Sequence, residues 1–174
     1  MLLNGAFFDK DALFTLFIKK VLQQALICVI ICKITKKGQI KMDCVFCKIV
    51  KGEIPSFKVY EDEHSLVFMD IAKDVDGHMV AIPKKHVKNI LDCDESTLNH
   101  LMQAVKKVCN HLTDNCGYDG VNILNASDES AGQSVFHFHL HIIPRKNGDN
   151  LNTWPNFNGA SCSIEQMHQK LKIN

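Results

Sequence analysis

The chain has 174 residues, of which 46% are hydrophobic and 22% are charged, as expected for one ordinary soluble domain. Its formal net charge of +1 provides no global field that would point to nucleic acid or to a strongly acidic partner. Arg145 is the only arginine, so a bidentate guanidinium clamp on phosphate is available at one position at most.

The eight cysteines are irregularly spaced, and no convincing secretory cleavage site precedes them. This pattern favours reduced thiols over a disulfide framework. We therefore expect an intracellular protein of the cytoplasm, with the nucleus as the alternative compartment.

Residues 1–42 differ in composition from the rest of the chain. Their apolar runs are interrupted by Lys19 and Lys20 and are shorter than the ~20 residues that a spanning helix needs. Two interpretations stay open: a membrane-associated amphipathic helix, or an extension upstream of a genuine start at Met42. We predict an N-terminal extension over 1–42 that is dispensable to catalysis, a folded domain over 43–146 and a tail over 147–174.

The domain begins with strand-like patterns. Lys58–Glu61 and Ser65–Asp70 predict two strands around a polar turn. His78–Pro83 predicts a third strand, closed by a proline that a central strand would not tolerate.

A long helix follows these strands. Asp94, Glu95 and Ser96 supply its start, and one apolar face recurs at three- and four-residue spacing until Asn115. Gly120–Asn125 and Ser134–Ile143 predict two further strands. The pattern indicates an α+β fold with an antiparallel sheet of about five strands, one long helix and a shorter one.

The segment from His137 to His141 alternates histidine with apolar residues. A strand of period two would place His137, His139 and His141 on one face, with successive imidazoles roughly 6–7 Å apart. The residues expected to point into the core on the opposite face are Phe138, Leu140 and Ile142. A stripe of three imidazoles stabilises no core by itself, so it indicates a functional site.

Two kinds of chemistry fit this stripe. One is a catalytic metal site, because His-x-His on a strand presents imidazoles to zinc. The other is phosphoryl or nucleotidyl transfer without a metal, in which a histidine is the nucleophile. Gly132, Gln133 and Ser134 precede the stripe and offer N–H groups and a hydroxyl, which suit an anion. This favours phosphate.

The segment His137–Ile143 resembles the alternating signature of the histidine triad family. Three more segments extend the resemblance in family order: 44–55, 77–86 and 131–134. The resemblance implies an α+β fold that is typically a two-fold dimer with one combined sheet. It also implies hydrolysis of purine nucleoside phosphoramidates, without a catalytic metal, through a nucleotidyl-histidine intermediate.

The family's catalytic positions carry over to four residues. The resemblance implies that His139 is the nucleophile and that His141 contacts the phosphate and protonates the leaving group. It further implies that Ser134 hydrogen-bonds the phosphate or the leaving group, and that His78 packs beside the triad and orients the nucleophile.

The same resemblance implies a nucleoside pocket. Asp70 would accept hydrogen bonds from the ribose hydroxyls, while three apolar side chains would wall the base: Phe46, Phe68 and Ile71. Asn125 and Gln133 match positions that contact phosphate or ribose. Trp154 and Pro155 resemble a feature that reaches a neighbouring subunit's pocket, although a local hydrophobic anchor explains them equally well.

Cys44 and Cys47 form a C-x-x-C pair with two interpretations. A redox pair usually accompanies a thioredoxin-like βαβ pattern, which this sequence lacks. Some members of the histidine triad family bind zinc with such a pair plus two histidines, which here correspond to His86 and His137. Four ligands close the coordination shell, so the implied zinc is structural.

Three rival functions stay open. A dinucleoside polyphosphate hydrolase would use the same nucleophile on a longer substrate. An interaction or signalling protein would bind nucleotide with little turnover, and a metal-dependent hydrolase would lose activity on chelation.

Overall fold

The computed structural model describes residues 44–72, 74–153, 157 and 159–173. The predictions for residues 1–42 and for Trp154 and Pro155 therefore lie outside the described residues. Within those ranges, no helix combines the length and the apolar character that a membrane crossing requires.

The described residues form one five-stranded antiparallel sheet with helices, which confirms the predicted α+β class. The strands are β1 (Lys58–Glu61), β2 (Ser65–Met69), β3 (Met79–Pro83), β4 (Gly120–Leu124) and β5 (Leu140–Arg145). Their order across the sheet is β1-β2-β3-β5-β4. The α-helices are α1 (Val45–Val50), α2 (Glu95–Asp114) and α3 (Ile164–Leu171). The first four strands agree with the predicted bounds to within one residue.

The long helix α2 begins and ends where its capping residues predict. The Asp94 carboxylate accepts a hydrogen bond from the Thr97 N–H at 2.9 Å, which satisfies one free donor of the first turn. Asn115 caps the other end. The buried face of the helix consists of Leu101, Ala104, Val105, Val108 and Leu112. This face covers one side of the sheet.

Alternation along the strands separates two apolar clusters. Val67, Ala81 and Ile142 belong to the cluster that α2 covers. The other cluster contains Leu66, Phe68, Val80 and Ile82, against which Phe46 and Ile49 of α1 pack. His141 lies directly opposite Val80 in the β3–β5 pairing, so its side chain shares the face covered by α1.

The expectation that β3 is not a central strand is wrong. β3 lies in the middle of the sheet and still ends in Pro83. The reason is register: β3 pairs with β5 only over Met79–Ala81, whereas Pro83 pairs with Ser65 of β2. The missing N–H of Pro83 therefore falls beyond the β5 ladder and costs no hydrogen bond there.

The predicted strand over Ser134–Ile143 is also wrong in its first half, because β5 begins only at Leu140. Both neighbouring strands stop short: β4 ends at Leu124, opposite His141, and β3 pairs no further than Leu140. The preceding backbone takes other partners, since the N–H of Phe138 donates to the Val87 carbonyl at 2.6 Å. His137 and His139 thus lie in an irregular segment before the strand, in which the N–H of His137 donates to the carbonyl of Val135.

Leu101 and its neighbour Met102 provide a matched test of this packing. Leu101 is fully buried beneath the sheet, whereas Met102 is 42% exposed. We expect Leu101→Ala to lower the free energy of unfolding by about 2–5 kcal/mol, because it leaves a cavity. Met102→Ala should cost less than about 1 kcal/mol in the same urea titration. Equal losses would contradict the assigned helix orientation.

Candidate active site

The three triad imidazoles lie side by side although only His141 is in the strand. The ring centroids of His139 and His141 are 5.1 Å apart, closer than the spacing expected from a regular strand. The ring of Phe46 lies edge-on to both His137 and His139, at 5.8 and 5.3 Å. His137 is fully buried and His139 nearly so, whereas the side chain of His141 is 30% exposed. The row therefore runs from the interior to the surface.

His139 is held in one tautomer by the backbone. Its Nδ1 lies 2.6 Å from the carbonyl oxygen of His137. A carbonyl oxygen only accepts, so Nδ1 carries the hydrogen and Nε2 keeps its lone pair in the neutral ring. The carbonyl of His139 in turn accepts from Nδ2 of Asn125 at 2.9 Å. Asn125 thus positions the backbone of His139, a role that the family resemblance did not include.

His78 contacts His141, and its expected role in orienting a nucleophilic His139 stays a prediction. Its Nε2 lies 2.9 Å from Nδ1 of His141. On its other side, Nδ1 of His78 lies 2.9 Å from Asp74 Oδ1 and 3.1 Å from Asp74 Oδ2. Sequence reasoning missed Asp74; the signal that could have found it is an acidic residue four positions before His78.

The groups around His141 have opposite effects on its pKa. Burial lowers the pKa of His141, and the neighbouring imidazoles of His139 and His78 lower it further, while Asp70 and Asp74 raise it. Oδ2 of Asp70 lies 3.7 Å from Nε2 of His78 and 3.7 Å from Nδ1 of His141. The two carboxylates thus favour protonation of His141, whereas its burial disfavours it.

The predicted nucleoside pocket is partly assembled. The rings of Phe46 and Phe68 meet edge-to-face at 5.7 Å, and Ile71 is 56% exposed at the surface. Asp70 and His78 line an open cleft of about 380 Å³, a size within the range of small-ligand sites. Phe46, Phe68 and Ile71 are not among the residues that line this cleft, so the contacts of these residues and of Asp70 with a nucleoside stay a prediction.

Ser134 and Gln133 occupy different environments. Ser134 is exposed at the end of the loop that precedes the triad. Gln133 is buried, and its Oε1 accepts from the Asp128 N–H while its Nε2 donates to the carbonyls of Lys88 and Val135. These bonds hold the loop in shape, whereas the predicted phosphate contact of Gln133 stays a prediction.

Arg145 is already paired with a carboxylate. Its guanidinium donates to both oxygens of Asp149 at 2.7 Å. The one arginine of the chain is therefore paired with an internal carboxylate.

A second cluster, the Cys2His2 cluster, consists of Cys44, Cys47, His86 and His137. One ligand atom from each lies within 4.8 Å of the other three. Nδ1 of His137 is 3.3 Å from Sγ of Cys44 and 3.6 Å from Sγ of Cys47, and Nδ1 of His86 is 3.2 Å from Sγ of Cys47. Ligands on a tetrahedral zinc stand about 3.3–3.8 Å apart, so the cluster fits this metal.

The protonation of the cluster also suits a cation. Burial lowers the pKa of His86 and lowers that of His137 to about 4, so both imidazoles are neutral ligands. Nε2 of His137 donates to the carbonyl of Pro83 at 2.9 Å, which aims the lone pair of Nδ1 at the thiols. Burial and the neighbouring Cys44 raise the pKa of Cys47 to about 11, and a bound cation would offset this cost of ionisation.

Six cysteines lie among the described residues, and none of them is in a disulfide. They are Cys44, Cys47, Cys93, Cys109, Cys116 and Cys162.

The fold and the row of imidazoles define an α+β protein with a histidine-based site on an antiparallel sheet. The family model for the HIT domain matches residues 51–148, which is more than half of the chain. The chain therefore belongs to the histidine triad (HIT) family.

Individual relatives agree with this membership. The chain is 48% identical over 103 residues to "Protein hit" of Bacillus subtilis, covering 59% of this chain and 71% of that one. It is 39% identical over 132 residues to an adenosine 5'-monophosphoramidase of Schizosaccharomyces pombe, covering 75% and 96%. A Zn-bound histidine triad family protein from Mycobacterium smegmatis superposes with a TM-score of 0.61 at 36% identity, covering 66% and 84%.

Gln133 and Ser134 offer a test of the loop assignment. Gln133→Ala leaves buried backbone groups without partners and should lower the free energy of unfolding by about 1–3 kcal/mol. Ser134→Ala, at the exposed neighbouring position, should change it by about 0.5 kcal/mol or less. Urea denaturation of both variants measures the difference, and a stable Gln133→Ala protein would show that the loop is held by other contacts.

Proposed function

We propose that this protein hydrolyses purine nucleoside phosphoramidates and releases the nucleoside monophosphate, with His139 as the nucleophile. The observation that carries the proposal is the hydrogen bond from Nδ1 of His139 to the His137 carbonyl. This bond leaves Nε2 unprotonated and fixes the ring plane, which are the two requirements for an imidazole that attacks phosphorus.

The reaction would proceed in two displacements. Nε2 of His139 attacks the α-phosphorus, a P–N bond to the ring forms, and the P–N bond to the amine breaks. His141 gives a proton to the departing amine, so that it leaves neutral. Water then attacks the nucleotidyl-histidine, His141 takes a proton from that water, and the bond to His139 breaks.

The remaining site residues would bind and orient the substrate. Asp70 would accept the ribose hydroxyls beside the cleft, and the base would lie against Phe46, Phe68 and Ile71. Ser134, exposed at the end of its loop, would donate its hydroxyl to the phosphate or the leaving group. Donors of this kind contribute about 3–4 kcal/mol each when they match the transition state.

The choice of a phosphoramidate has two supports. The chain covers 96% of a relative that is named an adenosine 5'-monophosphoramidase. In addition, Arg145 is paired with Asp149 and is not free to bind the extra phosphates of a dinucleoside polyphosphate. We therefore prefer the shorter substrate.

The proposal includes a homodimer and a cytoplasmic location. β4 is an edge strand of the sheet, and its Ile123 is 42% exposed. Pairing of two such edges would extend the sheet across a two-fold axis, as the family resemblance implies.

The Cys2His2 cluster is proposed to hold a structural zinc ion. Cys44, Cys47, His86 and His137 would fill the coordination shell and leave no position for substrate. The zinc would tie α1 to the segment that carries the nucleophile. The chemistry itself would be supplied by His139 and His141.

His139→Ala tests the proposed nucleophile. We expect AMP release from adenosine 5'-phosphoramidate to fall at least about 1,000-fold, because no other group forms the intermediate. His64→Ala is the control, since His64 stacks on His100 away from the triad and should leave turnover unchanged.

Mass spectrometry of protein quenched during turnover should show a nucleotidyl adduct on the peptide that contains His139. Diadenosine polyphosphate is assayed in parallel, and faster turnover of that substrate would overturn the substrate assignment. Undiminished turnover by His139→Ala would overturn the mechanism.

Cys47→Ser tests the metal site. We expect about one zinc ion per chain in the unaltered protein, near-zero content in Cys47→Ser, and a lower Tm for that variant. Cys116→Ser, at an exposed cysteine outside the cluster, should retain both zinc and Tm. Elemental analysis and calorimetry measure these quantities. Full zinc content in Cys47→Ser would contradict the assignment of the Cys2His2 cluster as the zinc site.

A further inference from the structure

Asp74 lies in the loop between β2 and β3, where its carboxylate faces the imidazole of His78. Both oxygens are within 3.1 Å of Nδ1 of His78, although the Asp74 side chain is 52% exposed. His78 lies between this carboxylate and His141, so the three side chains form a continuous hydrogen-bonded chain. The chain ends beside the ring of His139.

The hydrogen bonds among Asp74, His78 and His141 determine which ring nitrogens carry hydrogen. A carboxylate only accepts, so Nδ1 of His78 carries a hydrogen and its Nε2 presents a lone pair. The hydrogen shared with His141 therefore belongs to Nδ1 of His141. Of the ring nitrogens of His78 and His141 outside the hydrogen bond that joins them, only Nε2 of His141 is then free to take up a further proton. That proton is available to a leaving group.

Several groups act in opposite directions on this further proton. Burial of His141 and the imidazoles of His139 and His78 lower the pKa of His141, whereas Asp70 and Asp74 raise it. Asp74 contacts His78 directly, and Asp70 lies 3.7 Å from both rings. The neighbouring imidazole of His139 has the opposite effect and disfavours a further proton on His141. Asp76, on the same loop as Asp74, is exposed and lines the same cleft. Two nearby carboxylates thus stabilise a positive charge on the His78–His141 pair.

We propose that Asp74 is a positioning residue that acts through His78 to keep His141 protonated as the donor to the leaving group. The inference rests on the proposed function and deepens it. In the first displacement Nε2 of His141 passes its proton to the amine as the P–N bond breaks. In the second it recovers a proton from the attacking water, while Nδ1 of His78 keeps its hydrogen and donates it in the hydrogen bond to Asp74.

A comparison of two leaving groups tests this role. An alkylamine must be protonated as it leaves, whereas 4-nitrophenolate leaves as a stable anion and needs no acid. The substrates are an adenosine 5'-alkylphosphoramidate and adenosine 5'-(4-nitrophenyl phosphate). Asp74→Asn keeps an acceptor for His78 and removes only the charge. Asp92→Asn makes the same change at an exposed carboxylate that does not line the cleft.

We expect Asp74→Asn to lower kcat/KM for the alkylphosphoramidate about 10-fold or more, and to leave the nitrophenyl ester within about 2-fold. The high-pH fall of the alkylphosphoramidate profile should shift to lower pH, because the pair loses a stabilising charge. Asp74→Ala, which also removes the acceptor, should be slower still on the amine substrate. Asp92→Asn should match the unaltered protein on both substrates.

Equal losses on both substrates would mean a structural role, and no loss on either would mean no role; each result overturns the proposal. Retained turnover of the nitrophenyl ester shows that the variant is folded. If the unaltered protein turns over neither substrate, or if His139→Ala remains active, the proposed function itself fails, which is a distinguishable result.

Discussion

The hydrogen bond between Nδ1 of His139 and the carbonyl of His137 is the contact on which the rest of the site depends. It forms because the backbone before β5 is not part of a ladder, which leaves the His137 carbonyl available to a side chain. Two further bonds hold this segment, from the Phe138 N–H to Val87 and from Asn125 to the His139 carbonyl. The irregular backbone is thus what orients the proposed nucleophile.

His137 links this contact to the Cys2His2 cluster. Its ring donates to the Pro83 carbonyl and faces the two thiols, while its backbone oxygen orients His139. Phe46 lies between Cys44 and Cys47 in sequence and touches the rings of His137, His139 and Phe68. One short helix and one buried histidine therefore connect the candidate metal cluster, the proposed nucleophile and the proposed base pocket.

Local patterns predicted the elements whose cause is local. The apolar spacing of α2 and its cap at Asp94 are properties of neighbouring residues, and the structure confirms both. The start of β5 was not predictable in this way, because it depends on where β3 and β4 stop pairing. The central position of β3 depends on register as well. The contact of Asp74 with His78 depends on the path of a loop, and the buried hydrogen bonds of Gln133 depend on partners as far away as Lys88.

The tautomer of His139 is the most direct test of this account. Nitrogen-15 NMR of the histidine side chains in the substrate-free protein at neutral pH reports which ring nitrogen carries hydrogen. We expect Nδ1 of His139 to be protonated and Nε2 to carry no hydrogen, because the His137 carbonyl can only accept a hydrogen bond. A ring protonated on Nε2, or one that exchanges freely between the two tautomers, would contradict it.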